Sequence, residues 1–176
     1  MTQSTEQQTQ PVRSCLIWGV LSLLVVVLDL GSKYLAVTNL KYADPNPVLP
    51  MFDLTLLFNT GAAFSFLSDA GGWQRWFFVA IAVVVSVVLV IWLKRTPRIY
   101  WWLGLALSLV LGGALGNLYD RAVQGYVIDF ISLHYQNYYF PAFNIADTAI
   151  TIGAIILILD MLFLEGKRKS SEESSQ

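Results

Sequence analysis

The chain has 176 residues, 56% of them hydrophobic and only 13% charged, with a formal net charge of −1 and a mean hydropathy of +0.58. This apolar fraction exceeds the roughly 45–50% of soluble domains, and the near-neutral charge excludes a nucleic-acid partner held by bulk electrostatics. Cys15 and His134 are the only cysteine and the only histidine, which excludes an intrachain disulfide and a Cys/His zinc site; no metal or other cofactor is expected.

Four apolar runs, 16–35, 73–93, 100–119 and 146–164, are each close to the ~20 residues that cross a ~30 Å hydrocarbon core as a helix. A soluble bundle would carry a polar stripe along each helix, whereas 81–93 holds Ser86 as its one polar residue. The sequence predicts a single integral-membrane domain over 1–176, an all-α four-helix transmembrane bundle. Arg13, the group Lys94, Arg95 and Arg98, and the group Lys167, Arg168 and Lys169 fall on one side of an even number of spans. The positive-inside rule makes that side cytoplasmic. Both termini are then cytoplasmic, and loops 36–72 and 121–145 lie on the outer face. The polar tails, 1–12 and 166–176, are expected to be disordered.

The first span is apolar until Asp29 and Lys33. Its outer end, Asp29-Leu30-Gly31-Ser32-Lys33, lacks a small-residue cleavage site, so it is expected to stay attached rather than leave as a signal peptide. An ionisable residue inside a span costs ~2.5–3.5 kcal/mol on insertion scales and marks function by default. At i and i+4, Asp29 and Lys33 share a face and can pair; Lys33 can also snorkel to the outer interface.

The first outer loop opens with Pro45, Pro47 and Pro50, which rule out a regular helix. Residues 51–58 alternate in part and suit a short strand, Asn59-Thr60-Gly61 suits a turn, and 62–67 reads as a short apolar piece on the membrane surface. A structured loop of this length beside a membrane usually shapes a site. The second span offers only Trp73, Trp76, Phe77 and Trp92 near its ends, where amphipathic rings favour the interfaces. The third carries Gly104, Ser108, Gly112 and Gly116 at successive i+4 positions with Gly113 beside them, a ridge for close helix approach. Packing within the bundle is expected, and a monomer with it. Asn117, Asp120 and Arg121 follow on one face.

In the second outer loop Gly125 suits a turn, 126–133 reads as a strand containing Asp129, and the aromatics from Tyr135 to Phe140 read as an interfacial belt. His134 has no serine or cysteine partner by position and is expected to be structural. Asn144 and Asp147, at i and i+3, open the fourth span. Asp160 lies too far along that helix to join them.

Topology brings these groups to one end of the bundle, on the outer face. Two close carboxylates in a low-dielectric site share a proton; one serves as general base on a water while the other donates to a carbonyl and the leaving amine is protonated. A serine peptidase with Lys33 as base is the enzymatic competitor, with Ser32 on a different part of the helix surface. A small proton-coupled transporter is the non-enzymatic alternative, but its carboxylates belong near the bilayer midplane.

Asp29…Ser32-Lys33, FNTGAAFSF (58–66), GNLYDR (116–121), GYVIDF (125–130) and FNIADTAI (143–150) together resemble the lipoprotein signal peptidases (signal peptidase II). The resemblance runs from the first span to the end of the fourth. It implies a bacterial inner-membrane aspartic endopeptidase with its site toward the periplasmic face. The implied partners are membrane lipids and a diacylglyceryl-modified prolipoprotein, cut just before the lipidated cysteine. By motif, Asp129 and Asp147 are the catalytic pair. Asp29, Lys33, Asn59, Gly61, Asn117, Arg121, Asn144 and Ala146 match positions that surround or support the site. A small extracytoplasmic β-cradle and a short interfacial helix are also implied.

Overall fold

The structure, a computed structural model, describes residues 10–61, 72–97, 99–136 and 138–163. Among the described residues there are four helices: α1 (Gln10–Asn39), α2 (Trp73–Arg95), α3 (Trp101–Val123) and α4 (Ile145–Phe163). Each is long and apolar enough to cross a membrane. Residues 10–12 belong to α1 rather than to the expected tail. The remaining tail residues and the 62–67 segment, with the interfacial helix expected there, lie outside the described residues.

The bundle is organised around α3, which packs against all three other helices. Of its apolar window 61% is buried, against 28%, 17% and 22% for α1, α2 and α4. The small-residue ridge explains this. A Cβ on Gly104 would run into the Trp18 indole, and one on Gly112 would lie 2.6 Å from Val25 Cβ and 2.7 Å from the Ser22 carbonyl. The ridge therefore seats α1 directly on α3. Gly113 faces the other way, where a Cβ would collide with the Ala146 carbonyl of α4. The expectation of packing inside the bundle holds at each of these positions. Toward the other end of the bundle, Leu89 and Leu93 of α2 close on Leu103, Leu107 and Leu111 of α3. Outward-facing side chains such as Leu23, Val27, Val84, Val88 and Ile155 are apolar and exposed, which suits contact with hydrocarbon.

A four-stranded antiparallel sheet, β1 (Asn46–Leu49), β2 (Phe52–Asn59), β3 (Val127–Tyr135) and β4 (Tyr138–Tyr139), runs in the order β1-β2-β3-β4. The two strands expected over 51–58 and 126–133 are β2 and β3. Pro47 sits in the edge strand β1, where a residue without an N–H is tolerated. Period-two alternation divides β3 between two jobs: Ile128 and Phe130 pack with Ala36 of α1 and Leu56 of β2, while Val127 and Asp129 face an open cleft. The sheet is thereby fixed over the end of the bundle. Gly125 makes the exit from α3 at φ +90°, a left-handed turn that glycine adopts freely.

Candidate active site

The site assembles where α1, α3, α4, β2 and β3 meet. Asn144 stands just before α4, and its backbone carbonyl accepts the Thr148 N–H at 3.1 Å. Its Oδ1 accepts the Asp147 N–H at 2.9 Å, while Asp147 Oδ2 accepts the Asn144 N–H at 3.3 Å. This is the Asn/Asp counterpart of a capping box, which satisfies two orphan helix-end donors reciprocally. The arrangement leaves Asn144 Nδ2 free to point outward, and it donates to Asp129 Oδ1 at 2.8 Å. One asparagine therefore joins the start of α4 to the strand that carries the other carboxylate.

Asp129 is 3% exposed. Its second oxygen accepts Asn59 Nδ2 at 3.1 Å. Leu57 pairs with Asp129 and Asn59 with Val127, so Asn59 and Asp129 are diagonal neighbours on one sheet face. Asn59 Oδ1 is occupied by the Gly61 N–H at 3.0 Å, an Asx-turn that commits the Nδ2 end to the carboxylate. Burial and the nearby Asp147 carboxylate together push Asp129 up to about 7, against the opposing pull of the Asn59 and Asn144 amides and the more distant Lys33.

Beneath the two carboxylates lies a second, fully enclosed layer. Lys33 Nζ reaches Asp29 Oδ2 at 2.7 Å, Asp120 Oδ2 at 2.9 Å and Asn117 Oδ1 at 3.0 Å. Its side chain is 1% exposed, so Lys33 does not snorkel. The sheet closes over this end of the bundle, and the three oxygen ligands replace the water a snorkelling ammonium would seek. Asn117 passes the connection on: its Oδ1 also accepts Asn144 Nδ2 at 3.3 Å, and its Nδ2 donates to Asp147 Oδ1 at 2.8 Å. Asp29 Oδ1 accepts the Ala146 N–H at 2.9 Å, and Gly116 leaves the room for this, since a Cβ there would lie 2.5 Å from Asp29 Oδ2. Ala146 is fully buried at the α3–α4 crossing, against Gly113 and Gly116 of α3. Ser32 Oγ donates to the Asp29 carbonyl at 2.8 Å, and Lys33 is saturated with acceptors, so the two do not form a nucleophile–base pair.

Arg121 lines the cleft with both carboxylates; its guanidinium lies 5.3 Å from the Phe78 ring centroid and 3.4 Å from the Gly61 carbonyl. Its backbone is held by Arg75 of α2, which donates to the Arg121 and Ala122 carbonyls at 2.8 Å each. All ten residues expected at the site are thus within this one assembly. Asp120, which the sequence placed on one face with Asn117 and Arg121, is fully buried in the same assembly, paired with Lys33. Sequence reasoning missed one other residue. Arg75 acts through its side chain on carbonyls 46 and 47 residues away, which no local pattern reveals. His134 stays outside the site, 3.4 Å from Asp53 and stacked on Tyr139. The cleft has a volume of about 1040 Å³ and walls from Phe58, Phe140, Phe143 and Ile150.

Fold and site define an integral membrane protein that keeps a carboxylate pair in an apolar-walled cleft at one end of its bundle. Residues 21–163 match the family described as signal peptidase (SPase) II. The lipoprotein signal peptidase of Acinetobacter baumannii is 57% identical over 159 residues, 90% of each chain. That of Pseudomonas fluorescens is 63% identical over 146 residues, covering 82% of this chain and 86% of its own. A bacterial membrane enzyme structure obtained by the in meso method at 2.3 Å resolution superposes with a TM-score of 0.74 at 35% identity, over 81% of this chain and 85% of that one. The chain belongs to the signal peptidase II family, and is a membrane-embedded bacterial peptidase.

Proposed function

We propose that the protein removes the signal peptide from diacylglyceryl-modified prolipoproteins, cleaving just before the lipidated cysteine, with Asp129 and Asp147 as an aspartic pair. The observation that carries this reading is the joint hold of Asn144 on both carboxylates, from two separate elements, in one open cleft. Asp129, titrating near neutrality, carries the shared proton. Asp147 takes a proton from a water whose oxygen attacks the scissile carbonyl carbon, and Asp129 donates its proton to the carbonyl oxygen. As the resulting diol collapses, one hydroxyl returns its proton to Asp129. The C–N bond breaks, and Asp147 delivers its proton to the leaving amine. Arg121 and the Asn59–Gly61 turn hold the substrate backbone, and the sheet serves as its cradle.

The site's depth supports the substrate assignment. A lipidated cysteine keeps its acyl chains in the bilayer, so the bond beside it lies at the membrane surface, level with helix ends. With both termini cytoplasmic by the distribution of basic residues, the cleft faces the periplasm of the inner membrane. The test is cleavage of matched precursors by purified protein in detergent. Cleavage of the diacylglyceryl-modified precursor far faster than its unmodified counterpart is expected; equal cleavage of both, or of neither, contradicts the assignment.

A further inference from the structure

Lys33 forms no ion pair with Asp129 or Asp147, yet its two carboxylate partners hold the residue before each. Asp29 Oδ1 accepts the N–H of Ala146, the residue before Asp147, at 2.9 Å. Asp120 Oδ2 accepts the N–H of Ile128, the residue before Asp129, at 3.2 Å. The two arms leave from one ammonium, at 2.7 and 2.9 Å, and end one residue short of each carboxylate. Asp29, Lys33 and Asp120 are all between 0% and 1% exposed, so none of the three is held in water. A buried charge cluster of this kind is rigid because any departure leaves a desolvated charge unpaired.

We propose that Lys33 is a positioning residue that sets the separation of Asp129 and Asp147, through Asp29 acting on the α4 N-terminus and Asp120 acting on β3. The lysine explains why a peptide site holds two further carboxylates that face no cleft. Without it, Asp29 and Asp120 repel, and the strand and the helix they grip lose their common anchor. The bond from Lys33 to Asn117 Oδ1 adds a third hold: it fixes the orientation of that amide, so that Nδ2 faces Asp147. The bracket itself stands on geometry; its consequence for turnover rests on the aspartic-pair reading.

The test measures how strongly the two carboxylates sense each other. The groups around Asp129 are Asp147 from α4, Arg121 and Asp120 from α3, Lys33 and Asp29 from α1, and the neutral Asn59 and Asn144. The Asp129 carboxyl would be titrated by 13C NMR in detergent, with and without Asp147→Asn, in the native background and in Lys33→Met. In the native background, Asp147→Asn removes a like charge and lowers the Asp129 midpoint. The direct effect of the lysine charge cancels in this comparison, leaving the separation. The expected result is that the drop shrinks by at least half in Lys33→Met. An equal drop in both backgrounds overturns the proposal and leaves Lys33 a stabilising residue only. If Lys33→Met does not fold, Asp120→Asn carries the same comparison, since it keeps an acceptor for Ile128 while breaking the ion pair. No step of this test uses peptidase activity, so it stands or falls separately from the substrate assignment. In the cleavage assay, the same variants are expected to lose kcat with KM little changed; a rise in KM alone contradicts a positioning role.

Discussion

Asn144 donates to Asp129 at 2.8 Å with the same side chain that accepts the Asp147 N–H at 2.9 Å. Helix capping and site assembly are therefore one interaction. Asn144→Ala removes an N-cap, worth about 0.5–2 kcal/mol, and leaves Asp129 one donor short. A lower Tm is expected together with a loss of kcat beyond what reduced folding explains. Asn144→Ser, which restores the cap but cannot reach Asp129, is expected to recover the Tm and not the kcat. Recovery of both would mean that the asparagine acts on helix stability alone.

The raised Asp129 carboxyl carries a stability signature. Folded and unfolded states are both protonated well below pH 4, so the group has no effect there. Between about pH 4 and 7 the unfolded carboxyl ionises and the folded one does not, and stability falls as pH rises. Above about 7 the loss is complete. Asp129→Asn does not titrate, so its Tm is expected to exceed that of the native chain by a margin that grows from pH 4 to 7 and then levels off. At ~1.4 kcal/mol per pKa unit, the plateau corresponds to about 4 kcal/mol. Thermal melts across pH 4–8 test this, and a margin that shrinks with rising pH contradicts the assigned direction.

Two glycines separate packing from propensity. A Cβ on Gly116 would lie 2.5 Å from Asp29 Oδ2 and 3.5 Å from Ala146 Cβ, whereas a Cβ on Gly31 meets nothing within 4 Å. Gly116→Ala displaces a carboxylate already held by Lys33 and Ala146, an overpacking cost of about 1–3 kcal/mol. It is expected to reduce cleavage as well as Tm. Gly31→Ala gains roughly 1 kcal/mol of helix propensity and is expected to keep full activity. Equal behaviour of the two would show that the α1–α3 crossing tolerates a methyl group.

The parts of this molecule that were legible in its sequence are those governed by local pattern. Hydropathy located all four helices because lipid demands an unbroken apolar run; partial alternation located β2, and the strand-like run 126–133 located β3. Strands β1 and β4 were not legible: β1 contains Pro47, and β4 is the pair Tyr138–Tyr139, which reads equally well as an interfacial belt. Within the site, the i,i+4 spacing of Asp29 and Lys33 revealed their pairing, but not the fate of the ammonium. That depends on whether sheet or water covers the helix end, a tertiary fact. Asp120 shared a helix face with Asn117 in the sequence, yet its role became visible only when β3 brought the Ile128 N–H to it.

Whether Asp129 and Asp147 act as a pair is decided by turnover of a diacylglyceryl-modified prolipoprotein by the native chain, Asp129→Asn and Asp147→Asn, each shown to be folded. Cleavage by the native chain and a fall of several orders of magnitude in each single variant are expected. Near-native turnover by either variant would contradict the pairing.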